Sequence, residues 1–578
     1  MVAKVRTVIL SMMLVWLIAI TAKAYPEKTV QANLQEIGGE ADYVVFNDLL
    51  VLRDAIYVVG CSGAYENHVY TLWKFNAEDK LLSSTTGVKG YFMSIASDGS
   101  TIYAAGLLEH GTPPKTTGYL AAFDPDLNKL WEKEWVGSST FSWFRSVVVE
   151  ADGIYVAGAV QYPGEEATDI VLLKYNRTGN LLWEKTFSLK GHQTPESMAC
   201  YNGKIYIAGT TSPLGSSENV DGLLIVANMN GSEVYSATWG GGRKDFFSSV
   251  KVGDGVYICG FTDSYGAGGY DGLLLKMDFS GKVVWWRSFG GPGDDSFTDL
   301  CLDEDSVHVV GHAAGSAGTI PLYVKYSVNG TLLGNWTLPL GVYSSWSGVH
   351  ASAGATRMVG SSMVGAKASK GVYARYATIY RLTVNLPEEN FWASLDGENK
   401  TGRSVSFEAA GGEHKLEATF YKTAGKSRYT FSLWSDGVAN NPRTIRLKKD
   451  AEINAIYEVE HLVEVSSPIG EVSGGGWYVE GSTATVSVRP GIIPKDFFTY
   501  YVFDGWIENE TKASASSTYT FTVTKPTRLT ASWRAEPNPI TVGLIILILV
   551  IIIFVLLALT IKIGTKRKKS QPPPPDQA

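Results

Sequence analysis

The sequence predicts an all-β chain: a seven-bladed β-propeller followed by two small β modules and one C-terminal transmembrane helix. Three observations carry this. Seven times a short β-branched or aromatic run ends in glycine, at Gly60, Gly106, Gly158, Gly209, Gly260, Gly311 and Gly360. The spacings are 46, 52, 51, 51, 51 and 49 residues, the length of one four-stranded blade per repeat. Near the end, Ile540 to Ile561 runs 22 residues without a charge; at 1.5 Å rise per residue that is about 33 Å, enough to cross a hydrocarbon core.

The first element is a leader. Lys4 and Arg6 precede an apolar run from Val8 to Ile20, and Ala22-Lys23-Ala24 is a small-x-small cleavage site, so residues 1–24 read as a signal peptide. Residues 25–379 read as the propeller. Its clearest repeat has strand a at Phe246 to Val252, an Asp254-Gly255 turn, strand b at Val256 to Gly260, and a loop from Phe261 to Tyr270. Strand c follows at Leu273 to Asp278, then a Ser280-Gly281 turn and strand d at Val283 to Phe289. Asp98-Gly99, Asp152-Gly153 and Asn202-Gly203 repeat the a–b turn; these dipeptides tolerate the positive φ of type I′ turns. The last repeat lacks a strand d, whereas Thr29 to Gly39 is a spare strand before the first. A ring resolves both, with the N-terminal strand completing the last blade and covering two open edges.

Residues 380–459 and 460–535 form a second, longer repeat. RLTVNL from Arg381 matches HLVEVS from His461, Phe431 to Trp434 matches Phe503 to Trp506, and Ile453 to Glu458 matches Leu529 to Arg534. The span 540–561 is followed at once by Lys562, Lys566, Arg567, Lys568 and Lys569, which places the tail 562–578 in the cytoplasm and all that precedes the span outside the cell. The net charge is −7, and −14 over residues 25–539 once the basic ends are set aside. An acidic ectodomain argues against nucleic acid as a partner.

The pattern WxxxFGG, DG, IYVAG, DGLLLKxD over residues 29–379 resembles the short β-propeller repeats of secreted prokaryotic proteins and the Trp-bearing quinoprotein-type blade. A quinoprotein would imply eight blades, a tryptophan platform and a calcium; the seven repeats here mark none of these. The second β module, with Pro468, Gly481, Phe503 to Trp506 and LTASW, resembles the internalin-type B-repeats of surface proteins, which implies a spacer or adhesive stalk.

The residues mark no catalytic, cofactor or metal set. His308 and His312 are four apart, but His308 fills the slot of Tyr57, Tyr103, Tyr155, Tyr206 and Tyr257, a packing position. Asp169, Asp221 and Asp271 precede strand c and read as turn residues rather than calcium ligands. Asp294-Asp295 and Asp303-Glu304-Asp305 read as solvated turn charge, and Trp131, Trp183 and Trp285 as packing rather than sugar-stacking rings. Four cysteines, Cys61, Cys200, Cys259 and Cys301, form no CxxC pair and read as small buried thiols, their pairing open. Asn176, Asn230, Asn329, Asn335, Asn399 and Asn509 head N-x-S/T sequons on the outer side, open to glycosylation.

The expectation is a membrane-anchored cell-surface propeller that binds an extracellular protein or glycan, with the b–c loops as first candidates for contact. The alternatives are a glycan-active or quinone-dependent extracellular enzyme and a structural surface-layer component.

Overall fold

The computed structural model describes residues 30–39, 42–111, 115–137, 139–215, 218–352 and 354–567. The leader 1–24 and the tail beyond Arg567 lie outside the described residues. The chain divides into two compact units, the first holding the residues up to Tyr380 together with Glu408–Gly412 and Arg446–Lys449, the second the rest from Arg381 on.

The first unit is a β-propeller of antiparallel sheets. Phe141–Glu150, Gly153–Gln161, Asp169–Tyr175 and Leu181–Phe187 form one four-stranded sheet; the stretches His192–Trp239 and Asp245–Phe289 form the next two in the same order. The first repeat takes its strand d from a longer element: Leu81–Ser97 is one unbroken strand whose first half pairs back to Asn67–Asn76 and whose second half pairs forward to Ile102–His110.

The spare N-terminal strand fills the place of the missing strand d. Val30–Ile37 pairs antiparallel with Ala368–Asn385, from Val30 opposite Thr378 to Ile37 opposite Gly371. The apolar cores lie between neighbouring sheets, and the same holds between the first and the last: Phe46, Val58 and Phe75 pack with Val359 and Tyr373. Phe75 stacks on Tyr373 at 5.1 Å. Asp79, fully buried in the c–d turn of the first repeat, pins this junction. It accepts hydrogen bonds from the Tyr373 hydroxyl at 2.6 Å and Arg357 Nε at 3.2 Å, with Arg375 3.5 Å away. The Gln35 amide on the N-terminal strand donates to the Asp79 carbonyl.

Only one of the a–b dipeptides adopts the type I′ turn expected of them. Asn202-Gly203 has positive φ at both residues, as type I′ requires, but Asp98, Asp152 and Asp254 do not. Their carboxylates are drawn to the tyrosine of the following strand: Tyr103 donates to Asp98 at 3.1 Å, Tyr155 to Asp152 at 2.9 Å and Tyr257 to Asp254 at 2.6 Å.

In the second unit, the two matched stretches are built alike. Leu382 to Asn385 pairs in parallel with Ala451 to Asn454, and Val463 to Ser466 in parallel with Thr527 to Thr530. Both copies carry a bulge in the tryptophan-bearing strand, between Phe431 and Leu433 and between Phe503 and Gly505. Trp434 and Trp506 are fully buried. The described residues end in the helix Pro539–Arg567, whose stretch Pro539–Lys562 is long and apolar enough to cross a membrane; Thr541 near its start is buried, and the apolar side chains beyond it are exposed.

Candidate functional site

The periodic glycines have one steric cause. A Cβ on Gly260 would stand 1.8 Å from the Phe246 carbonyl oxygen; at Gly60, Gly106, Gly209, Gly311 and Gly360 the matching carbonyl is 1.9–2.0 Å away, and at Gly158 2.4 Å. Each glycine thus lets strand b close onto the inner strand, and just beyond the close approach the inner strand bulges. The extra residues are Asn47, Met93, Arg145, Glu196, Ser248, Thr298 and Ser347, and all of them line one central cavity of about 770 Å³. A bulge aims a side chain that the sheet ladder would otherwise hold in register.

These side chains also tie neighbouring inner strands together. Asn47 donates to the Phe92 carbonyl, Thr298 to the Trp346 carbonyl and Ser347 to the Phe46 carbonyl, each at 2.7 Å. The last of these joins residues 301 apart in the chain and repeats the contact made between sequential sheets. The residue after the bulge adds a second belt: the backbone N–H groups of Ile95, Val147, Met198 and Val349 donate to Asp48, Ser94, Ser146 and Asp299. Arg145 and Glu196 face each other in the channel wall at 2.6 Å.

Asp48 and Asp299 flank Lys251, whose ammonium is 4.0 Å from Asp299. Burial holds the Asp48 carboxyl up from 3.8 to about 7; the Asp299 charge adds to this, and Lys251 and two backbone N–H groups only partly offset it. Burial would lower the Lys251 ammonium, but Asp299 and Asp48 outweigh it and hold it above its ordinary value. A carboxyl whose folded value lies above its unfolded value favours folding while protonated, and that contribution is lost as pH rises from 3.8 towards about 7. Asp48→Asn removes the titration. The melting temperature of the variant minus that of the wild type is expected to increase across that window; a difference independent of pH would refute this reading.

A second feature lies on the outer edge of the propeller. Trp239, Tyr265 and Trp286 touch one another, with ring centroids 5.3 Å apart for Trp239–Tyr265, 5.8 Å for Trp239–Trp286 and 5.3 Å for Tyr265–Trp286. Trp286 is 37% and Tyr265 39% exposed. At the equivalent junction two sheets earlier, Trp135 is buried and its indole N–H donates to Glu184 at 3.0 Å. Trp286 stands in the slot of Glu132 and Glu184, so the indole partner is replaced by a ring and the cluster stays open. Beside it, Arg243 pairs with Asp263 at 2.9 Å, its guanidinium largely exposed, and Gly241 lies against Ser264 and Tyr265.

The residues singled out in the sequence have structural places. His308 is buried, its ring parallel to that of Tyr323 and bonded to the Tyr323 hydroxyl at 2.8 Å. Burial pushes its imidazole down to about 3. His312 bonds instead to Ser296 at 3.1 Å. Among the described residues no three His, Cys, Asp or Glu side chains come together as a metal site. Asp271 accepts from Ala267 N at 2.8 Å within its own loop, as a turn residue should, whereas Asp169 accepts from Ser188 across the sheet at 2.7 Å. Asp221 holds one oxygen beside Gly240. Asp294 and Asp295 accept backbone N–H groups of Tyr270, Gly291 and Ala314, and Asp303 that of Glu304. Trp131 donates to the Arg177 carbonyl and packs on Tyr103; Trp183 packs on Tyr155 and Trp285 on Tyr257. Cys61, Cys259 and Cys301 are buried free thiols and Cys200 is a half-buried one; burial pushes Cys61 and Cys200 up to about 12. Asn230, Asn329, Asn335, Asn399 and Asn509 are exposed, while Asn176 is half-buried and its side-chain oxygen holds a turn to Thr178 and Asn180.

No family model matches the sequence. The regulatory protein FlaEY of Caulobacter vibrioides is similar, 23% identical over 269 residues, which cover 38% of this chain and 28% of that protein. The chain thus spans less than a third of that relative's length. Solved structures with a related fold include the β-propeller domain of the Trilobed protease from Pyrococcus furiosus, 9% identical, covering 63% of this chain and 96% of that one at a TM-score of 0.37. The polysaccharide lyase Uly1 is 12% identical, covering 57% and 89% at 0.37. Chaetomium thermophilum Sqt1 is 10% identical, covering 59% and 96% at 0.36.

Proposed function

We propose that this protein is a cell-surface recognition head: a seven-bladed propeller, completed by its N-terminal strand, carried on two internalin-like β modules and held by residues 540–561, with the leader 1–24 directing export and the tail inside. The head binds a glycan through Trp239, Tyr265 and Trp286. The observation that carries this reading is the open aromatic cluster at a junction that its counterpart closes with a glutamate. A pyranose offers an apolar face for a ring and hydroxyls for planar polar groups, and the Arg243–Asp263 pair lies in the same loop pair. A hydrolase in the channel is less well supported. Both oxygens of Asp48 and of Asp299 already accept protein donors, which makes these carboxylates strand ties rather than an acid and a base.

The test is a glycan array and a pull-down with the full chain in detergent, repeated with Trp286→Glu. That change places the glutamate of two other repeats, Glu132 and Glu184, in this slot and offers the Trp239 indole N–H the kind of partner Trp135 has in Glu184; the melting temperature of the variant checks that the fold is retained. Saturable glycan binding weakened about tenfold or more by the variant is expected. Glycan binding untouched by the variant would move the site elsewhere; capture of a protein and of no glycan would replace the ligand class.

A further inference from the structure

The hairpin Ile492–Pro494 and Thr499–Glu508 points two phenylalanines away from its module. Phe497 is 68% and Phe498 57% exposed, with ring centroids 5.2 Å apart, and Ile492 nearby is 55% exposed. This is not a slack loop. Asp496 accepts the backbone N–H groups of Phe498 and Thr499 and the Thr499 hydroxyl, all at 2.8 Å, so the tip is held in one shape. An ordered tip that leaves its two largest apolar side chains in water is unfavourable unless something covers them.

The tip is fastened to the start of the helix Pro539–Arg567. Asn538 caps the helix through the Ile540 N–H at 3.0 Å, with Pro539 at the first helical position. The same Asn538 donates its backbone N–H to the Phe498 carbonyl at 2.7 Å and accepts the Tyr500 hydroxyl at 2.9 Å. Thr541, one residue into the apolar stretch, donates to the Phe497 carbonyl at 2.6 Å. Phe497 and Phe498 are therefore held at the level where the helix becomes apolar.

We infer that this hairpin tip is a membrane-docking wedge: Phe497 and Phe498 enter the outer headgroup layer of the lipid bilayer beside the helix. The inference rests on the reading of the helix as spanning the membrane. Tyr500 and Tyr501 follow the phenylalanines on the outgoing strand, and aromatic rings of this kind belong at a membrane–water interface. Asp496 and Lys495 at the tip set a shallow depth, since their charges stay among headgroups. Two attachments, helix and wedge, would keep the last β module from swivelling freely about its anchor.

The experiment places an environment-sensitive fluorophore on Phe498→Cys, and separately on Ile551→Cys within the helix, in the full chain reconstituted into phosphatidylcholine vesicles. The native thiols are buried or half-buried and pushed up in pKa, so the unsubstituted chain serves as the labelling blank. The label at 498 is expected to shift to the blue and to be quenched more by a headgroup nitroxide than by one at the acyl-chain end, with the opposite order at 551. A label at 498 quenched by aqueous iodide and untouched by either lipid quencher, with 551 quenched in the chain region, would overturn the wedge alone. Solvent-like behaviour at both positions would overturn the membrane span and the wedge with it.

Discussion

Gly260→Val is expected to destabilise the propeller by about 3 kcal/mol or more, the upper range for overpacking a closed site. The added Cβ would lie 1.8 Å from the Phe246 carbonyl oxygen and 2.8 Å from its carbon, so relief has to come from the backbone of two paired strands and not from a side-chain rotation. The φ of Gly260 is not in the left-handed region, which leaves the contact itself as the cause. Gly242→Ala is the control: nothing lies within 4 Å of the point its Cβ would occupy, and its effect is expected to stay within about 0.5 kcal/mol. Denaturant unfolding of the two variants checks this. Equal stability would mean that strand b does not press on the inner strand as described.

Asp79→Ala is expected to cost about 3–5 kcal/mol, the range for removing one partner of a buried ion pair. The carboxylate is fully buried and is shared by Arg357, Tyr373 and Arg375 from the last sheet. Its loss leaves the Arg357 guanidinium, only 11% exposed, without its counter-charge. Asp79→Asn keeps an acceptor for Tyr373 and removes the charge, so it should fall between wild type and alanine. Thermal unfolding followed by limited proteolysis reads both effects, with early release of Val30–Ile37 from the alanine variant as the signature of an opened junction. An alanine variant as stable as wild type would show that this junction does not hold the fold together.

The features legible in the sequence are those with local causes. A glycine that must admit a carbonyl recurs in every repeat whatever surrounds it, and a spare strand at one end answers a missing strand at the other. The match of Phe431 to Trp434 with Phe503 to Trp506 is legible in the same way, and the structure adds a bulge in each. What stays hidden depends on adjacency. Asp79 looks like any turn aspartate, because its partners are 278 and 294 residues away. Trp286 is visible as a departure from Glu132 and Glu184, but its contact with Trp239 and Tyr265 needs the order of sheets. The bulge residues share a position and no single residue type: Asn47, Met93, Arg145, Glu196, Ser248, Thr298 and Ser347 include hydroxyl, amide, thioether and charged side chains, although Asn47, Thr298 and Ser347 make the same tie. The a–b dipeptides alone predict type I′ turns, because the tyrosine hydroxyls that claim the aspartates lie in the next strand.

The central claim is that the N-terminal strand completes the last sheet of its own chain. Glu36 and Lys370 lie 334 residues apart in sequence and 2.9 Å apart in space. A carbodiimide joins a carboxylate to an amine with no spacer, so it couples groups already in contact. Treatment of the folded protein at low concentration, with isolation of the monomer and mass spectrometry of its tryptic peptides, is predicted to yield, among the products of other close lysine–carboxylate pairs, a branched peptide linking Glu36 to Lys370. Its absence from the monomer, or its presence only in cross-linked dimers, would contradict the closed ring.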